Sequence, residues 1–337
     1  ALVMVNIVLV GAGKLGSRHL QALSQIKIMG TNLFVIDPSS EARSIAENRF
    51  HEMPSNSAIA SVTYLESIGN LKISDIELVV VATTVEHRRS VISDLCASFN
   101  VKSMILEKFL FQDKKSFAEV GKILQQHEIK TWVNLPRRQW RFYQELKIKL
   151  SGQEIFQFDV VGTKWSMATS AIHFIDLISF LTNNVDYEIV NLDFGDSYVP
   201  AYSVITGPRE SKYIEFFGSM HGRFSGGAYF NFTCLESEMP LSVILTTSEG
   251  TITIYEELGQ CFFNVSDGIN VVTSELGVIA PYQSELTNKV AEDIITNGEC
   301  SLTPYEESAR LHLPLLTSYL EYLGKVNPKF SDLCPIT

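Results

Sequence analysis

Short, mostly apolar runs alternate with amphipathic stretches over the first 130 residues or so of the chain. Val5–Val10, Asn32–Ile36, Leu78–Ala82 and Ser103–Leu106 have the length and composition of buried strands. Between and after them, Leu15–Ile26, Ser40–Asn48, Arg88–Ser98 and Lys115–His127 read as helices. Strands that are apolar throughout, alternating with helices, predict a parallel, doubly wound α/β sheet covered on both faces. The texture changes near Thr131. A strand at Trp132–Asn134 leads to Pro136, a helix over Trp140–Leu150, the segment Ile155–Gly162 and a long apolar helix around Ser166–Leu181. From Asp186 to Ile279 polar and apolar residues alternate in short runs between turn signals such as Ser225–Gly227 and Ser248–Gly250, which predicts a largely antiparallel sheet. Two helical stretches, Gln283–Thr296 and Tyr305–Leu323, close the chain. The expected division is a dinucleotide-binding domain over residues 1–131 and a second α/β domain over residues 132–337.

The first strand runs straight into Gly11-Ala12-Gly13-Lys14-Leu15-Gly16, a G-x-G-x-x-G that opens a helix. Gly11 suits the tight turn, Gly13 lets backbone approach a pyrophosphate, and Gly16 lets the helix pack on the strand. The helix start offers unpaired N–H groups and the positive end of its dipole to the phosphates. Glycine spacing alone is a weak signal, but its context strengthens it. Asp37 ends the second strand about 20 residues further on, where a carboxylate accepts hydrogen bonds from the adenosine ribose hydroxyls. A carboxylate there repels a 2′-phosphate, so the expected cofactor is NAD rather than NADP. The loop Ala82-Thr83-Thr84 follows another buried strand and is expected beside the nicotinamide ribose. His87 either touches the cofactor or caps the helix beginning near Arg88.

Composition narrows the picture further. A chain of 337 residues, 45% of them hydrophobic, is long enough for two cores and apolar enough to fill both. The net charge of −11 and the scattered basic residues argue against a nucleic-acid partner. No apolar run reaches the roughly 20 residues of a membrane span. The apolar start, Ala1 to Val10, lacks a basic flank and leads into the glycine motif, as a buried strand does and a signal peptide does not. The five cysteines are scattered and form no Cys-x-x-Cys or zinc-ligand spacing, so a cytoplasmic protein with reduced thiols and no metal is expected.

Two further residues carry chemistry. Lys108 follows the apolar run Met104-Ile105-Leu106 and emerges at the carboxyl edge where substrate must lie. An ammonium there stabilises the alkoxide that develops as an alcohol is oxidised. The plain alternative is a surface lysine at a strand end. His173 sits in an otherwise apolar helix with Thr169 one turn before it and Asp176 one turn after, and an imidazole exchanges protons near neutrality. Its plain alternative is a core histidine held by a backbone carbonyl.

Taken together, Gly11–Gly16, Asp37, Ala82-Thr83-Thr84 with His87, Glu107-Lys108, Ile172-His173-Phe174-Ile175-Asp176 and the segment Ser248–Ile254 resemble the glucose-fructose oxidoreductase / inositol dehydrogenase / rhizopine-catabolism family over nearly the whole chain. The resemblance implies a Rossmann domain followed by an α/β domain whose large open sheet forms a homodimer or homotetramer interface. It implies cofactor contacts from Gly11, Ala12, Gly13, Lys14, Leu15, Gly16, Asp37, Thr83, Thr84, His87, Glu107 and Lys108. It makes Lys108 and His173 catalytic, with Thr169 and Asp176 in support. Two positions depart from the family pattern. Thr169 stands where an acidic residue is common, and Phe109 replaces the proline of Glu-Lys-Pro. Threonine can orient an imidazole but cannot balance its charge.

On the substrate side, the pair Arg137-Arg138 after Pro136 reads either as a clamp for a phosphate or carboxylate or as salt-bridged structure. Trp165, Lys164, Tyr143 and Gln283 are further pocket candidates, beside Lys108 and His173. The expected function is NAD-dependent oxidation or reduction at a hydroxyl or keto group of a sugar or nucleotide-sugar, with an anionic sugar favoured by the arginines. Such chemistry suits carbohydrate or surface-polysaccharide metabolism. Two alternatives stand beside it: a redox-neutral epimerase or eliminase that recycles NAD, and a non-catalytic NAD-responsive sugar-binding regulator, since the family includes a fungal galactose-pathway repressor.

Overall fold

A computed structural model describes residues 3–195, 198–200, 212–266 and 271–337. The chain divides into two compact units, one of residues 1–111, 115–136 and 281–306, the other of residues 112–114, 137–280 and 307–337. In the first unit the strands are β1 (Val5–Val10), β2 (Thr31–Ile36), β3 (Ile59–Leu65), β4 (Asp75–Ile76), β5 (Leu78–Val81), β6 (Asn100–Val101), β7 (Ser103–Leu106) and β8 (Lys130–Val133). The helices are α1 (Lys14–Leu23), α2 (Ser40–His51), α3 (Val85–Ser98) and α4 (Lys114–Gln126). The main sheet runs β3-β2-β1-β5-β7-β8 with every neighbouring pair parallel, and the short strand Thr303–Pro304 adds antiparallel to β8. Strands β5 and β7 are buried along their whole length, as a sheet covered on both faces requires. The order reverses direction at β1, so the carboxyl ends of β1 and β5 flank the switch point where ligands bind in such sheets.

Strand β3 was not among the expected elements. Its sequence Ile-Ala-Ser-Val-Thr-Tyr-Leu lies at the sheet edge with no fully buried residue, so it lacks the apolar run that marked its neighbours. The segment 281–306 packs with the first unit although the texture of the sequence placed it with the second. Its helix Thr287–Asn297 buries Val290, Ala291 and Ile294 in the same core as Leu20 and Leu23 of α1, Leu33, Val80 and Trp132. The outer apolar side of α1 thus receives its cover from chain far away in sequence.

The second unit carries α5 (Arg141–Lys149), β9 (Ile155–Thr163), α6 (Met167–Thr182), β10 (Tyr187–Asp193), β11 (Val199–Pro200), β12 (Ile214–Glu215), β13 (Gly218–Phe224), β14 (Tyr229–Leu235), β15 (Ser242–Thr247), β16 (Gly250–Tyr255), β17 (Gln260–Ser266) and β18 (Val271–Gly277). Eight of these strands form one open sheet ordered β10-β13-β14-β9-β15-β16-β17-β18. Only β9 and β14 pair in parallel, the rest being antiparallel. The alternation expected over Asp186–Ile279 is met in β13 to β17, where buried and half-exposed positions take turns. Parts of that stretch, residues 196–197, 201–211 and 267–270, lie outside the described residues. Phe158, Val160, Phe230, Phe232, Val243, Leu245, Ile252 and Ile254 fill the covered face, and Phe174 of α6 meets Phe232 at 6.1 Å between ring centres. Among the described residues, no helix is long and apolar enough to cross a membrane.

Candidate active site and cofactor cradle

At the end of β1 the three glycines have different physical reasons. Gly11 has φ +97°, and a Cβ there would lie 2.7 Å from the carbonyl oxygen of Ala82. A Cβ on Gly16 would lie 1.9 Å from the carbonyl oxygen of Gly11. Both are demanded by the protein itself. Around Gly13 a Cβ would meet nothing within 4 Å, so the fold leaves open space at the residue that starts α1. No side chain caps this helix and no acidic residue occupies its first turn, while Lys14 and Leu15 are exposed. Uncapped backbone N–H groups beside open space are the arrangement a pyrophosphate fits.

Asp37 is drawn onto the same loop. One carboxylate oxygen accepts from the Ala12 N–H at 2.8 Å and the other from the Ser39 N–H at 2.8 Å, while Arg43 donates to the Asp37 carbonyl at 2.6 Å. The carboxylate therefore stands fixed next to the glycine turn, as ribose recognition requires. On the other side of β1, Thr83 is half-buried and Thr84 is the exposed N-cap of α3. That helix starts at Val85, three residues earlier than expected, so His87 lies inside its first turn and exposed, not at the cap.

Lys108 follows β7 by two residues and is half-buried, and its peptide bond to Phe109 is cis. The residues around it are held tightly. Glu107 is buried, and its Oε1 lies 2.7 Å from Nε2 of His19 and accepts from Asn134 Nδ2 at 2.7 Å. His19 Nδ1 lies 2.7 Å from the Thr287 hydroxyl. Gln283 donates to that hydroxyl at 2.8 Å and accepts from Asn134 at 3.0 Å. Burial pushes the Glu107 carboxyl up, but hydrogen bonds from His19 and Asn134 and the His19 and Arg88 charges outweigh it, and its pKa sits below the ordinary range. On the far side of Lys108, the buried guanidinium of Arg88 donates to the carbonyls of Phe109, Leu110 (2.9 Å) and Thr83 (2.8 Å).

In the second unit His173 is half-buried on α6. The start of that helix is capped from afar by Glu215 of β12, fully buried, which accepts from the N–H groups of Ala168 (2.7 Å) and Thr169 (3.4 Å). A carboxylate at the positive end of a helix is favourable. Thr169, one turn before His173, donates its hydroxyl to the Thr337 carbonyl at 2.6 Å. Lys164 and Ser166 both take positive φ, 47° and 58°, and bracket Trp165. The Trp165 ring stands edge-on to Phe174 and its Nε1 donates to the Thr233 carbonyl at 2.8 Å, while Lys164 is exposed.

Several expected substrate groups have partners within the chain. Arg137 binds Glu256 through both Nε (2.9 Å) and Nη2 (2.6 Å) and lies over the rings of Phe174 and Trp140. Arg138 binds Asp176 at 2.8 Å and Glu307 at 3.3 Å. Both guanidinium groups are thus paired with carboxylates of their own chain, the second of the two readings that the arginine pair offered. Asp176, fully buried, accepts from Arg138 Nε at 2.8 Å. Tyr143 is fully buried with its hydroxyl donating to Glu256 at 2.6 Å, and half-buried Gln283 belongs to the His19–Glu107 cluster. His19, Arg88, Asn134, Glu215 and Glu256 were not singled out from the sequence. The signal was thin: a polar residue three places after Gly16, and an arginine on the first turn of a helix, look like surface residues until their partners are known.

No protein-family model matches the chain, and no characterised protein sequence does either. Solved structures are similar over almost its whole length. An oxidoreductase from Agrobacterium radiobacter, solved with NAD+, L-tartaric acid and magnesium, has a TM-score of 0.69 at 14% identity over 96% of this chain and 97% of its own. UDP-N-acetylglucosamine 3-dehydrogenase from Acidithiobacillus ferrooxidans has a TM-score of 0.67 at 12% identity, covering 93% and 96%. A super-repressor mutant of Gal80p from Saccharomyces cerevisiae has a TM-score of 0.68 at 13% identity, covering 98% of both chains. With its parallel nucleotide-type sheet and its open eight-stranded sheet, the chain has the fold of the oxidoreductases of the glucose-fructose oxidoreductase and inositol dehydrogenase type, a fold that the Gal80 regulators share.

Proposed function

We propose that the chain is an oxidoreductase that binds a nicotinamide dinucleotide, NAD in preference to NADP, and interconverts a hydroxyl and a keto group on a sugar or nucleotide-sugar. The observation that carries this reading is Gly13, a glycine that the fold does not need, at an uncapped helix start beside a carboxylate tied to the same loop. Bound there, the dinucleotide supplies or takes up hydride. The residues 11–16 and the first turn of α1 hold its pyrophosphate. Asp37 accepts from the ribose hydroxyls and repels a 2′-phosphate, and the Thr83-Thr84 loop lies at the neighbouring strand end. The Lys108 ammonium donates to the substrate oxygen and stabilises negative charge as its proton departs. His173 takes that proton during oxidation and returns it during reduction. Arg137 and Arg138 take no part, so an anionic substrate is not required. The face of the eight-stranded sheet turned away from its core presents Val161, Ile244, Phe262 and exposed Tyr229, and this face is proposed to meet a second copy of the chain.

Steady-state turnover with a panel of sugars and nucleotide-sugars tests the assignment. Lys108→Ala and His173→Ala should each lower kcat by a factor on the order of 10²–10⁴ while leaving NADH binding nearly intact. A variant that keeps most of its turnover would lose its place in the mechanism. The likeness to Gal80p favours one second reading, a regulator that binds dinucleotide and sugar without chemistry. Tight NADH binding with no turnover of any panel member would support it.

A further inference from the structure

His19 sits in a closed ring of hydrogen bonds in which every member has a partner. An ionised Glu107 only accepts, so His19 Nε2 and Asn134 Nδ2 both donate to its Oε1. The second amide hydrogen of Asn134 goes to Gln283 Oε1, and Gln283 Nε2 donates to the Thr287 hydroxyl. The 2.7 Å hydrogen bond between the Thr287 hydroxyl and His19 Nδ1 closes the circuit. Five side chains from α1, the ends of β7 and β8 and the returning segment near residue 285 thus share one network, four of them at most 5% exposed. Opening it anywhere leaves a buried polar group without its partner, which costs about 1–3 kcal/mol per group.

The ring grips one end of a three-residue stretch, and Arg88 grips the other. Glu107 is fixed by His19 and Asn134, the carbonyls of Phe109 and Leu110 are fixed by the Arg88 guanidinium, and Lys108 lies between. The same guanidinium holds the Thr83 carbonyl, so the loops that follow β5 and β7 are tied together. His19 itself is 1% exposed, which bars contact with substrate. We propose that His19 is a positioning residue: through Glu107, and against the hold of Arg88, it sets where the Lys108 ammonium is presented. This rests on the reading that Lys108 meets the substrate oxygen.

The test compares His19→Leu, His19→Gln and Thr287→Val with the wild type. Glutamine keeps an N–H that can reach Glu107, leucine removes it, and valine at 287 opens the ring at its other end. The first readout is the rate at which trinitrobenzenesulfonate modifies Lys108, relative to the exposed Lys72, by peptide mass spectrometry. The others are kcat and the Kd for NADH. His19→Leu should change the labelling ratio at least about threefold and lower kcat roughly 10- to 100-fold, with NADH affinity changed less than about threefold, because a displacement of about 1 Å at a reacting group has such consequences. His19→Gln should recover most of both. If His19→Leu does not fold, Thr287→Val decides, and it should move the ratio in the same direction. An unchanged labelling ratio in folded His19→Leu or Thr287→Val overturns the proposal. Absence of turnover in the wild type would instead refute the catalytic reading, with the labelling ratio still deciding whether His19 positions Lys108.

Discussion

Glu107 is a carboxylate sealed from water whose charge is kept by its neighbours. Burial alone would raise its pKa, yet the His19 and Asn134 hydrogen bonds and the Arg88 guanidinium hold it below the usual range. A depressed folded-state value means that the ionised group contributes stability present in full above its unfolded value of about 4.3 and lost as pH falls toward the folded value. Wild-type protein should therefore lose stability below about pH 4.5 more steeply than Glu107→Gln, whose amide oxygen can still accept from His19 and Asn134 without titrating. Denaturant unfolding of both proteins between roughly pH 3.5 and 7 measures the difference. A gap between the two that stays constant over that range would mean that Glu107 titrates as an ordinary carboxyl. Residues of this kind were invisible in the sequence because their partners are distant: His19 reaches 88 positions to Glu107 and 268 to Thr287. Asp37 and the glycines were legible because the reason for each lies in the local strand-turn-helix.

Elements followed the same division. Strands β1, β5 and β7 announced themselves by mostly apolar runs, and α6 by its length and apolar character, because burial on both faces selects apolar residues nearly throughout. The edge strand β3 and the attachment of the Thr287–Asn297 helix to α1 depend on packing partners that no local window contains. The short turn Pro136–Gln139 shows why an arginine pair leaves two readings open. It is fastened to β16 and its following turn by Arg137–Glu256 and to α6 by Arg138–Asp176. A pair of cations waiting for a substrate and a pair fastening an element look identical in sequence. Glu256→Gln should destabilise the fold by about 3–5 kcal/mol, since it leaves the Arg137 charge largely buried without its counter-ion. The double change Arg137→Met with Glu256→Leu should recover much of that loss, and substrate KM should be unaffected by either. A raised KM with unchanged stability in Arg137→Gln would return this arginine to the substrate site.

At the scale of the whole molecule, the proposed roles fall on both units: the parallel sheet carries the glycine loop and Lys108, and the open sheet carries His173 on the helix packed against it. The open sheet also leaves one broad face uncovered by its own unit's core, and light scattering should report a dimer or larger assembly that Tyr229→Lys weakens. A monomer at micromolar concentration would contradict the proposed role of that face. The central claim is that the first unit is built around a dinucleotide, and Gly13 tests it most directly. A Cβ at this position touches no protein atom and the backbone is extended, so replacing this N-cap glycine costs about 1 kcal/mol. Fluorescence titration of wild type and Gly13→Val with NADH and NADPH, alongside their melting temperatures, is the measurement. Wild type should bind NADH at least tenfold tighter than NADPH, a difference of about 1.4 kcal/mol. Gly13→Val should melt within a few degrees of wild type and lose most of its NADH affinity. Unchanged NADH binding in a folded Gly13→Val protein, or no binding by the wild type, would contradict the account.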